Sequence, residues 1–400
     1  MMPKAFEVLL RDEISSKRLD GSYKSERIII TAQDSEIQTE ESGKTLLNFC
    51  SNNYLGLSNH PDVKMAAQKA IESHGFGMSS VRFICGTQDL HKDLENRLSR
   101  FLLKEDTILY NSCFDANGGL FQNLLGSDDV ILSASLNHAS IIDGVRLSKA
   151  KKMLYHYDDV NELNDRLKEA HESRFKVVVT DGVFSMEGEL ASLDKIVQVC
   201  QDHEALLVVD DSHATGFIGD HGRGTAEYFG VHDQVDLFTG TLGKALGGAT
   251  GGYISGKREI IEWLRNTSRP YLFSNSLAPA IIGGAIQSIN IVESKEGNEL
   301  MGRSKRNTGY FREEMNKKGF QIKKGIHPIV PIMVGEANIA TSMAEDLLKD
   351  GIYVTGFSYP VVPKGEARIR VQISAIHTMD QIDKAIECFV KEGNKYEVIG

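Results

Sequence analysis

Asp210 and Lys244, 34 positions apart, each follow a short apolar run. Asp210 directly abuts Leu206-Leu207-Val208-Val209, and an acid so placed is partly buried and demands a cation or several donors. Lys244 lies within Val235–Gly252, VDLFTGTLGKALGGATGG, where Val235, Leu237 and Phe238 lead into a cluster of glycines that let backbone approach a ligand closely. A lysine screened from water loses its proton more readily and forms a Schiff base with an aldehyde. A phosphate-binding loop is excluded, because Phe238 stands where G-x-x-x-x-G-K-[ST] needs its first glycine and Ala245 follows the lysine.

Other apolar runs also end in reactive residue types. After Tyr110 comes Asn111-Ser112-Cys113-Phe114-Asp115-Ala116-Asn117-Gly118-Gly119, a helix start whose free N–H groups suit an anion. After Ser133 comes Leu136-Asn137-His138-Ala139-Ser140, although a lone histidine there is more often a structural hydrogen-bonding group. Thr180 is followed by Asp181-Gly182-Val183-Phe184-Ser185-Met186-Glu187-Gly188, which lacks the spacing of a G-x-S-x-G elbow. An amine, a carboxylate for a ring nitrogen and a helix start for a phosphate are the parts needed by an aldehyde cofactor that carries both. Near the C-terminus, period-2 alternation puts Arg368, Arg370 and Gln372 on one strand face and Ile369, Val371 and Ile373 on the other. A bidentate guanidinium suits a carboxylate, and alternation leaves both arginines open.

Positioning such residues takes a sheet. The pattern predicts strands at 107–110, 130–133, 176–180, 205–209, 235–239 and 253–255, with helices at 61–74, 88–101, 115–125, 140–147 and 192–203, Ser192 acting as N-cap. Short apolar strands alternating with helices mean an α/β fold, a mostly parallel sheet with helices on both faces and ligands beyond the carboxyl strand ends. After residue 290 the texture becomes α+β, with a long helix at 291–318, strands at 329–334, 352–354 and 367–373, and helices at 338–349 and 380–391, the last opened by a Thr378/Gln381 capping box. The expected division is a large unit at 46–290 and a small one formed by 1–45 with 291–400. Met1–Arg18 reads as an amphipathic helix with Phe6, Leu9, Leu10 and Ile14 on one side, not a signal or transit peptide.

Composition narrows the class further. The net charge of −10 argues against general nucleic-acid binding. Cys50, Cys85, Cys113, Cys200 and Cys388 are scattered without a C-x-x-C pair, as expected of reduced thiols in a cytoplasmic protein rather than a metal site. No apolar run approaches membrane-spanning length.

Several segments together carry a family resemblance: NNYLGL (52–57), SHGFGMSSVRFICGTQDLHKDLE (73–95), SCFDANGG (112–119), NHASIIDGVRL (137–147), TDGVFSMEG (180–188), VVDDSHATGF (208–217), TGTLGKALGG (239–248), SRPYLFSNSLAP (268–279) and ARIRVQISA (367–375). The chain resembles the α-oxoamine synthases among the fold-type I enzymes of pyridoxal 5′-phosphate (PLP). The resemblance implies a PLP-dependent acyltransferase that condenses glycine with acetyl-CoA to 2-amino-3-oxobutyrate and CoA, reversibly, the alternative being another α-oxoamine synthase that uses a longer acyl-CoA or another amino acid with decarboxylation. It implies that Lys244 holds PLP and moves the substrate α-proton, that Asp210 faces the pyridine nitrogen, and that His213 and Ser185 bond the phenolic oxygen while His138 stacks on the ring. Cys113, Phe114 and Thr241 would hold the phosphate, with Ser274 and Asn275 from the second subunit of a homodimer. Asn52 would face the substrate and Arg368 would grip its carboxylate. Functional coupling to threonine dehydrogenase in threonine breakdown is a further implication.

Overall fold

The computed structural model describes residues 2–19, 23–359 and 361–399. Its centre is a seven-stranded sheet ordered Asp106–Tyr110, Gly252–Gly256, Leu237–Thr241, Leu206–Asp210, Lys176–Asp181, Val130–Ala134, Lys151–Tyr155. All neighbours pair in parallel except Gly252–Gly256, which is antiparallel to both of its partners. The inner strands are near-continuous runs of Val, Ile and Leu because both faces are covered by helices. Each predicted strand forms, shifted by at most two residues. Lys151–Tyr155 was not expected as a strand, since a half-exposed KKMLY edge carries neither an apolar run nor alternation.

Three helical expectations need correction. The 115–125 segment forms two short helices, Cys113–Gly118 and Phe121–Leu124, interrupted at Gly119, where a Cβ would meet the Ser268 hydroxyl at 2.3 Å. Residues 291–318 are not one helix: Pro279–Val292 ends, and Ser294 caps the new helix Lys295–Lys317. Ser192 stands at the start of Leu193–Asp202 but its side chain makes no cap bond. The Thr378/Gln381 capping box opens Met379–Lys395 as expected.

A second, three-stranded sheet (Ile329–Gly335, Ala367–Gln372, Thr355–Phe357) has its own core of Phe311, Met315, Val330, Ile369, Val371 and Phe389. Leu47 and Phe49 join that core, and Thr45–Asn48 pairs with Ile352–Tyr353. The opposite face of Ala367–Gln372 turns toward the strand ends of the large sheet. The N-terminal helix Lys4–Leu19 forms, but none of its residues is buried. No helix among the described residues is long and apolar enough to cross a membrane.

Candidate active site

Asp210 ends its strand opposite Thr239 of the neighbouring strand, and Lys244 follows one turn beyond Thr241. The Asp210 carboxylate is buried. Its Oδ2 accepts from Asn117 Nδ2 at 2.7 Å and the Cys113 thiol at 3.5 Å, and its Oδ1 accepts from the Ser212 N–H at 3.0 Å. Burial pulls the Lys244 ammonium below its ordinary pKa, while Asp210, Cys113 and Asp181 act in the opposite sense. The two residues that sequence reasoning paired therefore share one electrostatic site.

Asn137 fastens the neighbouring strand ends together. Its amide donates to Val179 O and Ser133 Oγ, and its oxygen accepts from the Asp181 N–H. Asp181 Oδ2 in turn accepts from the His138 N–H at 2.8 Å. The His138 ring caps the helix Ala139–Leu147, with Nδ1 accepting from Ser140 N. That bond leaves the proton on Nε2, and burial pushes the imidazole pKa down. Phe114 meets the ring edge-on.

At the helix start, the Ser112 side chain accepts from Asp115 N, so the cap serves the third helical N–H and leaves those of Cys113 and Phe114 nearer the front. Gly251 and Gly252 bring Thr241 to the same place. The Thr241 hydroxyl donates to Gly251 O, Gly251 bridges to Ser112, and a Cβ on Gly252 would lie 2.3 Å from Cys113 N. Cys113, Phe114 and Thr241 are thus brought together.

The second sheet supplies the other wall. Tyr54 is fully buried, its hydroxyl 2.8 Å from His213 Nδ1, 3.1 Å from Gln372 Oε1 and 3.3 Å from Asn52 Oδ1. Burial first, then the charge of Lys244, hold His213 far below its ordinary pKa. The expected role of Arg368 meets an obstacle here. Its guanidinium is wholly buried and bonded to Glu187, to the Glu366 side chain and to the carbonyls of Met186 and Glu366. Arg370, on the same strand face, donates from one terminal nitrogen to Ser185 O, and its Nε is buried without a partner. Arg370, not Arg368, is the guanidinium left available. Ser185 contributes its carbonyl to that contact and is partly exposed. Ser274 and Asn275 lie at the surface, the Asn275 carbonyl accepting from Asn111 Nδ2.

Sequence reasoning missed Tyr54, Gln372, Asn117 and Asn137. Gln372 carried a usable signal, since it shares strand parity with the arginines. The residues present fit a phosphate-bearing aldehyde with a basic ring nitrogen: a glycine-lined helix start, a lysine amine, and a buried carboxylate. The hydroxyls of Ser212 and Thr239, beside that carboxylate, are buried without hydrogen-bond partners among the described residues.

Residues 44–389 match the family described as aminotransferase class I and II. The chain belongs to that family. It is 55% identical over 98% of both chains to the 2-amino-3-ketobutyrate coenzyme A ligase of Escherichia coli K12. It is 50% identical to the mitochondrial ligase of that name from Homo sapiens, over 96% of this chain and 91% of the human protein. An 8-amino-7-oxononanoate synthase from Thermosipho melanesiensis is 44% identical over 97% and 98% of the two chains. Among solved structures, a Sphingomonas wittichii serine palmitoyltransferase superimposes with a TM-score of 0.92 at 28% identity over the whole of both chains. These relatives bear out the α-oxoamine synthase resemblance carried by the motifs, and with it the fold-type I architecture of this aminotransferase-family chain.

Proposed function

We infer that this chain is a PLP-dependent acyltransferase that condenses glycine with acetyl-CoA, reversibly, giving 2-amino-3-oxobutyrate and CoA. The observation that carries the reading is the full-length identity of 50–55% to ligases of that name, joined to a lysine and a buried carboxylate at adjacent strand ends. PLP, when bound, supplies a sink for the electron pair left at the α-carbon of the amino acid.

The roles of individual residues are our proposal. Lys244, its pKa lowered by burial, holds the cofactor through its amine and takes the glycine α-proton. Asp210 keeps a positive charge on the ring nitrogen, and Asn117 and Ser212 keep the carboxylate aimed. His138 would stack on the ring of bound PLP, and His213 and Ser185 would bond its phenolic oxygen. Cys113, Phe114 and Thr241 hold the phosphate. Asn52 faces the substrate, and Arg370 replaces Arg368 as the carboxylate clamp because its guanidinium is not consumed by protein partners. The new bond joins the glycine α-carbon to the acetyl carbonyl carbon, the C–S bond breaks, and CoA leaves as the thiolate.

We propose a homodimer whose Ser274 and Asn275 complete the partner's phosphate site. Supporting this, Phe76, Phe83, Ile84 and Phe273 are exposed on two segments tied by the Val81–Asn275 bridge and the Ser276 N–Ser80 O bond. We also propose the division into 46–290 and 1–45 with 291–400, a cytoplasmic location, and a place in threonine breakdown coupled to threonine dehydrogenase. The decisive assay is glycine-dependent release of CoA from acetyl-CoA by purified protein that absorbs at the violet edge of the visible. Protein that has no such absorbance and releases no CoA ends this reading.

A further inference from the structure

We propose that Tyr54, itself oriented by Gln372, fixes the neutral His213 ring as the tautomer with its proton on Nδ1, so that Nε2 meets the site as a bare acceptor. The argument is a count of donors. Gln372 Nε2 donates to the Cys50 carbonyl at 2.6 Å, which settles the amide orientation and turns Oε1, an oxygen that only accepts, toward the Tyr54 hydroxyl at 3.1 Å. Asn52 Oδ1 at 3.3 Å is a second acceptor on the same hydroxyl. Tyr54 has one proton, and burial raises its pKa so that the proton stays in place. Given to Gln372, that proton cannot also go to His213 Nδ1 at 2.8 Å. The short contact then needs its hydrogen from the ring.

The alternative, a proton on Nε2 with Tyr54 donating to Nδ1, leaves the buried Gln372 oxygen facing a hydroxyl lone pair. Burial, and then the neighbouring charges of Lys244 and Arg370, work against a doubly protonated ring. The His213 carbonyl is held by His327 Nε2 at 2.7 Å, which anchors the backbone that carries the ring, and the ring itself is held at Nδ1 by Tyr54. Tyr54 is fixed just as firmly, its carbonyl accepting from Ala375 N and its ring packed on Phe217. Tyr54 and Gln372 are therefore positioning residues. The consequence for PLP rests on the function proposed above: with Nε2 bare, a bond between His213 and the phenolic oxygen would need that oxygen to carry the proton and donate it.

The test is the ring nitrogen spectrum of histidine-labelled full-length protein, with PLP and after its removal, the His213 signals being assigned by their loss in His213→Asn. Both states are expected to show His213 protonated at Nδ1 and bare at Nε2. Tyr54→Phe, and independently Gln372→Met, should convert His213 to the Nε2-protonated pattern, because each removes the chain that draws the proton to Nδ1. Wild-type protein already protonated at Nε2, or variants that keep the wild-type pattern, would overturn the proposal. Should Tyr54→Phe fail to fold, the wild-type spectrum and Gln372→Met still decide. The tautomer is read without substrate and without PLP, so protein that lacks acyltransferase activity would refute the functional reading and leave this result standing.

Discussion

Arg368 and Arg370 leave the same face of one strand, two residues apart, yet only Arg368 is consumed by the protein. Its partners Glu187 and Glu366 and two carbonyls engage all three nitrogens of the guanidinium, whereas Arg370 keeps a buried Nε without a partner among the described residues. The two alanine variants should therefore fail differently. Arg370→Ala is expected to raise the glycine KM by roughly 10- to 150-fold with PLP still bound, since a lost charge-assisted contact costs about 1.5–3 kcal/mol. Arg368→Ala strands the buried Glu187 carboxylate and should lower unfolding stability by about 3–5 kcal/mol. Steady-state glycine titrations and denaturant melts on both variants measure this split. The reverse pattern would return the clamp to Arg368.

Lys244→Ala should leave the melting transition nearly unchanged and abolish turnover, because it removes the amine on which Asp210 and Asp181 act at the strand ends. Borohydride treatment followed by peptide mass mapping should place the cofactor's mass on Lys244 in wild type and nowhere in the variant. Near-normal turnover by the variant would remove the lysine from the mechanism.

Asp210→Asn keeps the size of the side chain but not its charge. It should bind PLP through Lys244 and turn over orders of magnitude more slowly, each tenfold corresponding to ~1.4 kcal/mol of barrier. Normal turnover per folded molecule, with lowered stability, would make Asp210 a structural anchor only.

Lys244 and Asp210 were legible because a strand that is apolar on both faces announces its own end, and a charge standing there has no bland surface to occupy. Alternation placed the two arginines on one face, but parity cannot tell them apart. What separates them is Glu187, 181 positions from Arg368 and delivered by a loop of the other sheet. Tyr54 read as one apolar residue of NNYLGL. Its partners His213 and Gln372 lie 159 and 318 positions away, beyond any local pattern. The Lys151–Tyr155 strand escaped for the opposite reason, since an edge is free to be polar.

Acid should unfold the protein through three buried histidines. In His91, His327 and His377 alike, Nδ1 accepts a backbone N–H (Gln88, Ile329, Ser374) and Nε2 donates to a carbonyl (Leu277, His213, Asn48). A second proton at Nδ1 would face a donor, and burial lowers the pKa to about 4 for His91, about 3 for His327 and about 4 for His377. A folded pKa below the unfolded 6.5 means that the unfolded chain binds protons first. The stabilisation is whole above pH 6.5 and drains away as pH falls toward 4, by up to ~1.4 kcal/mol per pH unit for each ring. Denaturant melts from pH 7.5 down to 4 should show this slope. His377→Gln should be less stable at pH 7.5 yet show a shallower acid limb. An equally steep limb in the variant would exclude His377 as a contributor.

The fate of the substrate carboxylate tests the proposed reaction against its alternative, a synthase that decarboxylates its amino acid. Loss of the α-proton and loss of CO₂ both leave an electron pair on the same carbon, so the choice lies in which bond stands perpendicular to the conjugated ring. A guanidinium that holds the carboxylate near the ring plane favours loss of the proton and keeps the carboxyl carbon. Under the proposed roles Arg370 would supply that grip, since it is anchored through Ser185 O and stacked on Phe357 with its centre 4.9 Å from the aromatic centroid. Glycine labelled at its carboxyl carbon, with the product trapped at once by a coupled reductase, is therefore expected to give threonine that retains the label. The Arg370→Ala variant, lacking that grip, should release a measurable fraction of label as CO₂ on the enzyme. Labelled CO₂ from wild type at the rate of CoA formation would move the chain to the decarboxylating branch. Full retention by the variant would show that something other than Arg370 holds the carboxylate in the plane.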